Sequence, residues 1–108
     1  MWIESWKRPT VNADDWDSFS EDCRVATSAF LRARGLPEDF RAVYGRGERS
    51  WSSMLTRDQH TYELFIYENA AAFWRNRDRW VMFEAADFRN GRDQIDAFLN
   101  ALGSALDA

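Results

Sequence analysis

Trp16, Phe19, Cys23, Ala26 and Phe30 recur at steps of three, four, three and four between Asn12 and Gly35. That spacing puts all five on one side of an α-helix, so the segment must find a core to bury against. Asn12 is placed to cap the helix start, with Asp14 and Asp15 in a first turn where the helix dipole favours negative charge. Gly35 is placed to end it, and Pro37 prevents continuation. The opposite side carries Asp14, Asp15, Asp17, Glu21 and Asp22, with no basic residue before Arg24. The dipole explains the first two acids but not Glu21 and Asp22. Asp17 and Glu21 are a like-charge pair four apart, which costs a few tenths of a kcal/mol, roughly. Such a block is either an ordinary solvated face or a surface for something positive.

The rest of the pattern predicts a sheet. Three strand-like runs follow, over residues 51–56, 62–67 and 80–85. Arg57-Asp58-Gln59-His60 reads as the hairpin connection between the first two. Residues 37–44 read as a further helical turn before Gly45 and Gly47, and the connection 68–79 as a loop with a helical turn at its Ala-rich start. Trp2, Ile3, Glu4, Ser5 and Trp6 read as a short N-terminal edge strand, ended by Pro9. Asn90 caps a last helix, supported by Asp93 three residues on, with Ile95, Phe98, Leu99, Leu102 and Leu106 as its apolar stripe. The expected fold class is α+β: a three-stranded antiparallel meander, with that extra edge strand, packed by an N-terminal and a C-terminal helix on one sheet face. With 108 residues and 45% hydrophobic content, residues 1–108 form one globular domain able to bury a core.

The strands carry apolar bulk on both faces. Tyr62, Leu64 and Ile66 point one way, and Phe65 and Tyr67 point the other with Glu63. The second face is either covered by the N-terminal segment or the 68–79 connection, or it is a docking surface. Phe65, Tyr67, Trp74 and Trp80 are its candidate residues. Six tryptophans are many for so short a chain; each brings large area and one N–H that needs a partner, so several either anchor the core or sit in a binding surface.

Catalytic chemistry is thin. His60 is the lone histidine, in a turn beside Asp58, and reads as a surface turn residue. Cys23, the lone cysteine, sits on the apolar helix face where a thiol is deactivated, and excludes an internal disulfide. No metal-ligand spacing, phosphate-binding glycine loop or nucleophile elbow is present, so no catalytic, metal or cofactor residue is assigned. A net charge of −4 argues against a general nucleic-acid binder. The counter-signal is Trp74-Arg75-Asn76-Arg77-Asp78-Arg79-Trp80, able to hold phosphate and stack bases. Its alternative reading is a solvated loop whose arginines pair with Asp78 or Glu84. No apolar run has membrane-spanning length and the N-terminus lacks a signal-peptide core, so a soluble protein of a reducing compartment is expected.

The runs Tyr62-Glu63-Leu64-Phe65-Ile66-Tyr67-Glu68-Asn69 and Arg79-Trp80-Val81-Met82-Phe83-Glu84-Ala85, with the closing helix over 93–106, resemble the Trp-rich immunity proteins of bacterial polymorphic-toxin and contact-dependent growth inhibition systems. The resemblance implies a non-enzymatic cytoplasmic protein that binds and neutralises a cognate basic toxin domain, commonly a nuclease. Asp14, Asp17, Glu21 and Asp22 would face the toxin's basic cleft, and the tryptophans would anchor the interface. The alternative is a small RNA-binding module built on the arginine-rich Trp74–Trp80 stretch.

Overall fold

The computed structural model describes residues 19–45 and 48–107. The expected edge strand over 2–6, the cap at Asn12, and Asp14, Asp15, Trp16 and Asp17 lie outside the described residues. Along the chain come α1 (Phe19–Ala33), five strands, a 3-10 turn (Ala85–Asp87) and α2 (Gly91–Asp107). The strands are β1 (Arg41–Gly45), β2 (Glu48–Arg57), β3 (His60–Ile66), β4 (Ala70–Arg75) and β5 (Arg79–Glu84). They form one antiparallel sheet in the order β1-β2-β3-β4-β5.

The class is α+β as expected, but the sheet has two more strands than the meander predicted. Residues 41–45, expected as a helical turn, form the edge strand β1 against β2. Residues 70–75, expected within a loop, form β4 between β3 and β5, so the second and third predicted strands are not neighbours. Alanine favours helices, and this propensity is what misleads at Ala70, Ala71 and Ala72. Tertiary burial overrides it, since all three are fully enclosed. The entry to β4 is a tight turn through Glu68 and Asn69, closed by Tyr67 N–H donating to the Ala70 carbonyl at 2.7 Å.

Both helices lie on one sheet face. β2 contributes Leu55 to that face, β3 Tyr62, Leu64 and Ile66, β4 Ala71 and Phe73, and β5 the half-buried Val81 and Phe83. Helix α2 meets them with Ile95, Phe98, Leu102 and Leu106, as its sequence stripe predicts, while Leu99 is half-buried. Phe98 stands edge-on to Phe73 and Phe83, with ring centroids 6.2 Å away in both cases. Asn90 caps α2 as expected, its Oδ1 accepting the Asp93 N–H at 2.8 Å. Gln94, fully buried, donates to the carbonyls of Phe83 (2.7 Å) and Asn69 (3.2 Å), tying α2 to β5 and the β3–β4 turn.

In α1 the buried line is Phe19, Cys23, Thr27 and Leu31, with Ser28 beside it. Ala26 and Phe30 pack only partly against the core. The sequence stripe drifts from the observed one at its C-terminal end, where Thr27 takes a core place despite its hydroxyl; that hydroxyl lies 3.9 Å from the Cys23 thiol. Gly35 ends α1 with φ of 71°, Leu36 N–H returns to the Leu31 carbonyl and Gly35 N–H to that of Arg32. This is the paired hydrogen-bond pattern of a Schellman cap. Near their C-termini the two helices meet at Gly103, where an added Cβ would stand 3.2 Å from the Phe30 ring. Arg34 covers that ring and pairs with Asp107 at 2.7 Å. No described helix is long and apolar enough to cross a membrane.

Candidate interaction surface

The side-chain period of two sends the alternate strand residues to the other face. Ladder register groups Arg41, Val43, Ser52, Met54, Glu63, Phe65, Ala72, Trp74, Trp80 and Met82 there. Among the described residues no helix packs on this side. The 68–79 connection, offered by the sequence as a cover, is part of the sheet instead and covers neither face.

Its centre is aromatic. Trp74 and Trp80 are cross-strand partners with rings 4.8 Å apart, Trp80 lies 5.9 Å from Phe65, and Phe65 stacks on Tyr67 at 6.4 Å. All four predicted aromatic residues therefore form one continuous, half-buried row across β3, β4 and β5. The row forms because even positions of β4 and β5 and odd positions of β3 share a face, a relation invisible until β4 is recognised as a strand. Met54, on the same face, is 60% exposed, and Val43 is exposed on the edge strand.

Beside the aromatics sits one carboxylate. Glu63 faces Met54 on one side and Trp74 on the other, and its side chain is only 12% exposed. Arg77 makes a two-pronged bond to it, Nε to Oε1 at 2.8 Å and Nη2 to Oε2 at 3.1 Å. That guanidinium is itself 78% exposed. The planar fork satisfies both carboxylate oxygens and leaves one face of the arginine to solvent. Next to Glu63 a shallow recess of about 430 Å³ is lined by Asp39, Arg41, Ser52, Met54 and Phe65. The sequence placed Glu63 on this face and Arg77 in the arginine-rich stretch but did not pair them, and it did not mark Met54 or Asp39. The alternation around Glu63 was the available signal, since a lone acid between apolar neighbours on a strand face asks for a partner.

The described members of the predicted acidic set lie elsewhere. Glu21 and Asp22 are exposed on α1, on the opposite side of the sheet from the aromatic row. Glu21 accepts from Arg24 Nε at 3.1 Å, and Asp22 borders a groove between the helices that also contains Arg92. One compact partner surface cannot touch both groups.

Burial pushes the Cys23 thiol up to about 12, an effect that the Thr27 hydroxyl opposes and Asp22 adds to. His60 is half-buried rather than a free turn residue. Arg75 Nη2 lies 2.9 Å from its Nε2, and Asn76 Nδ2 lies 2.8 Å from its Nδ1. Among the described residues no group of three or more His, Cys, Asp or Glu side chains is arranged to hold a metal. The arginine–tryptophan stretch is not a loop, apart from the turn at residues 76–78. Its alternation sends Trp74 and Trp80 to the open face and Arg75 and Arg79 to the helix side, and Arg77 pairs with Glu63 rather than with Asp78 or Glu84. Compared with protein-family models, curated proteins and solved structures, the chain gives no match in any of the three.

Proposed function

We infer that this protein is a non-enzymatic inhibitor which binds a cognate toxin domain in the cytoplasm, and that the aromatic sheet face is its docking surface. The observation that carries the reading is the continuous row of Phe65, Tyr67, Trp74 and Trp80 on a face that no described helix covers. Tryptophan, tyrosine, methionine and arginine are the residues enriched at protein interfaces, and all four are present here. Rigid rings lose little conformational freedom on binding, so they are effective anchors.

The partner is basic, and its chemistry fits a nuclease that presents a cationic cleft. The net charge of −4 supplies attraction at a distance, and the exposed Asp39 supplies an acceptor beside the anchors. Glu21 and Asp22 act through the field rather than through contact, since they lie behind the sheet. Exposed charges more than roughly 10 Å from the interface are screened near 0.1 M salt, so their share falls as salt rises. An RNA-binding role has less support, because stacking rings and unpaired arginines of the Trp74–Trp80 stretch occupy different faces.

The test is co-expression with the toxin domain encoded by the neighbouring open reading frame. Wild type should restore growth and co-purify with it, and Trp80→Ala should do neither while remaining folded. Full protection by Trp80→Ala and Trp74→Ala together would sink the assignment of this face.

A further inference from the structure

Where the β2–β3 and β4–β5 hairpins turn, the helix-side face of the sheet changes character. Its last positions are Arg57, His60, Arg75 and Arg79, one from each of four successive strands. Arg57 is the direct cross-strand partner of His60, and Arg75 of Arg79; Arg75 is itself opposite Tyr62, one pair inward of His60, and reaches His60 diagonally. Arg75 and Arg79 are like charges directly opposite each other, which weakens a ladder, so this end of the sheet needs something to compensate it.

Within the described residues that compensation is thin. Other arginines reach carboxylates closely: Arg32 to Glu38 and Arg34 to Asp107 at 2.7 Å, and Arg77 to Glu63 at 2.8 Å. In this cluster, Arg57 has Asp58 at 3.7 Å, and Arg75 and Arg79 make no ion pair among the described residues. Arg57 Nη1 is buried and meets no acceptor. At His60 both ring nitrogens face donors, Arg75 Nη2 and Asn76 Nδ2, because Asn76 Oδ1 is already taken by the Thr61 N–H at 2.9 Å. A neutral imidazole has one acceptor nitrogen, so one of these contacts sets donor against donor. The carbonyl end of α2 lies close by and offsets some positive charge. Yet its Ala105 carbonyl is bonded to the Tyr62 hydroxyl at 3.0 Å rather than to an arginine, and the last turn of α2 holds no basic residue.

A surplus of donors with no acceptor describes an anion site. We propose that the Arg57–His60–Arg75–Arg79 cluster binds a phosphate group, with Arg57 and Arg79 as its two arms and His60 and Arg75 between them. Phosphate rather than carboxylate fits, because it offers acceptors in several directions and enough negative charge for more than one guanidinium. Its oxygens relieve the donor crowding at His60 and give the exposed part of Arg57 a closer charge partner than Asp58. The proposal stands apart from toxin binding, since the cluster and the aromatic face are on opposite sides of the sheet.

The experiment follows the His60 imidazole and Arg57 side-chain resonances by NMR while inorganic phosphate replaces chloride at constant pH and ionic strength. Saturable shifts are expected, with affinity at least tenfold weaker in Arg57→Gln and in Arg79→Gln. Arg89→Gln, which removes the same charge at the other end of α2, should bind as wild type does. Arg79 is exposed, so its variant keeps the test alive should Arg57→Gln unfold, and amide dispersion reports the fold of each. A second arm uses AMP: saturation by phosphate alone or by both ligands supports the site. A response to AMP alone, shifts that never saturate, or equal binding by wild type and Arg79→Gln would overturn it.

Discussion

The two faces of this sheet are built from the same five strands, yet they are packed by different rules. On the inner face, Leu64 meets Phe73, Ile66 meets Ala71, and Phe73 meets Val81, all beneath the apolar stripes of two helices. On the outer face Met54 meets Glu63, Glu63 meets Trp74, and Trp74 meets Trp80. The inner pairs are mostly aliphatic or small, and Phe73 is locked edge-on by Phe98. The outer pairs are large and flat, with a carboxylate and an arginine among them. Burying apolar surface is enough to explain the first arrangement. The second gathers bulky rings where the fold has no described helix to cover them, which is what a surface kept for another molecule requires.

The sharpest way to break this contrast is to truncate one ring on each face. Phe98→Ala should cost about 3–5 kcal/mol in urea denaturation, a large part of the stability of a domain this size. Trp80→Ala, on the outer face, should cost less than half of that. Equal losses would mean the outer rings are core. The binding energetics should invert the order. Trp74→Ala and Trp80→Ala should each weaken partner binding by about 2 kcal/mol or more, close to thirtyfold, in calorimetric titration. Phe98→Ala, measured where it remains folded, should leave affinity nearly intact.

A smaller effect tests the inner face through its thiol. Cys23 has a folded-state pKa raised from 9.0 to about 12, so the folded protein holds that proton more tightly than the unfolded chain. The contribution is therefore fully present below pH 9 and is lost as pH rises toward 12. Wild type should lose stability across that window relative to Cys23→Ala, and parallel pH profiles would contradict the assigned burial. The smallest effect concerns the charges on α1. Reversing Glu21 and Asp22 to Lys should slow association a few-fold at low salt and hardly at all near physiological salt. A salt-independent loss would put these residues in direct contact with the partner.

Periodicity made much of the inner face readable in advance, though not Ala71 and Phe73 of β4 or the shift of the α1 stripe to Thr27 and Leu31. The stripes of α2, the Asn90 cap, the Gly35 terminator and the Arg57–His60 hairpin all rest on local rules, and each is found where the residues put it. That hairpin turns through Asp58 and Gln59 at φ of 52° and 68°, a two-residue form that favours residues tolerant of positive φ. The outer face was legible only in part. Phe65 and Trp80 announce themselves by alternation, but their meeting depends on β4, whose three alanines carry a helical preference that only the finished sheet overrules. Edge strand β1 was hidden in a similar way, because a five-residue run takes its strand form from pairing with β2. The acidic residues of α1 were visible in number, but which side of the sheet they occupy is a tertiary fact.

Strand order that equals chain order has a kinetic consequence. Every ladder joins consecutive strands, so each hairpin can close over a short loop without waiting for distant segments, a low-contact-order route associated with fast folding. The helix that seals the inner face is different, because Ile95, Phe98, Leu102 and Leu106 follow all five strands. During synthesis the sheet can therefore zip together while the side facing α2 is still wet and adhesive. The hazard of aggregation is concentrated in the interval between the emergence of β5 and the docking of α2.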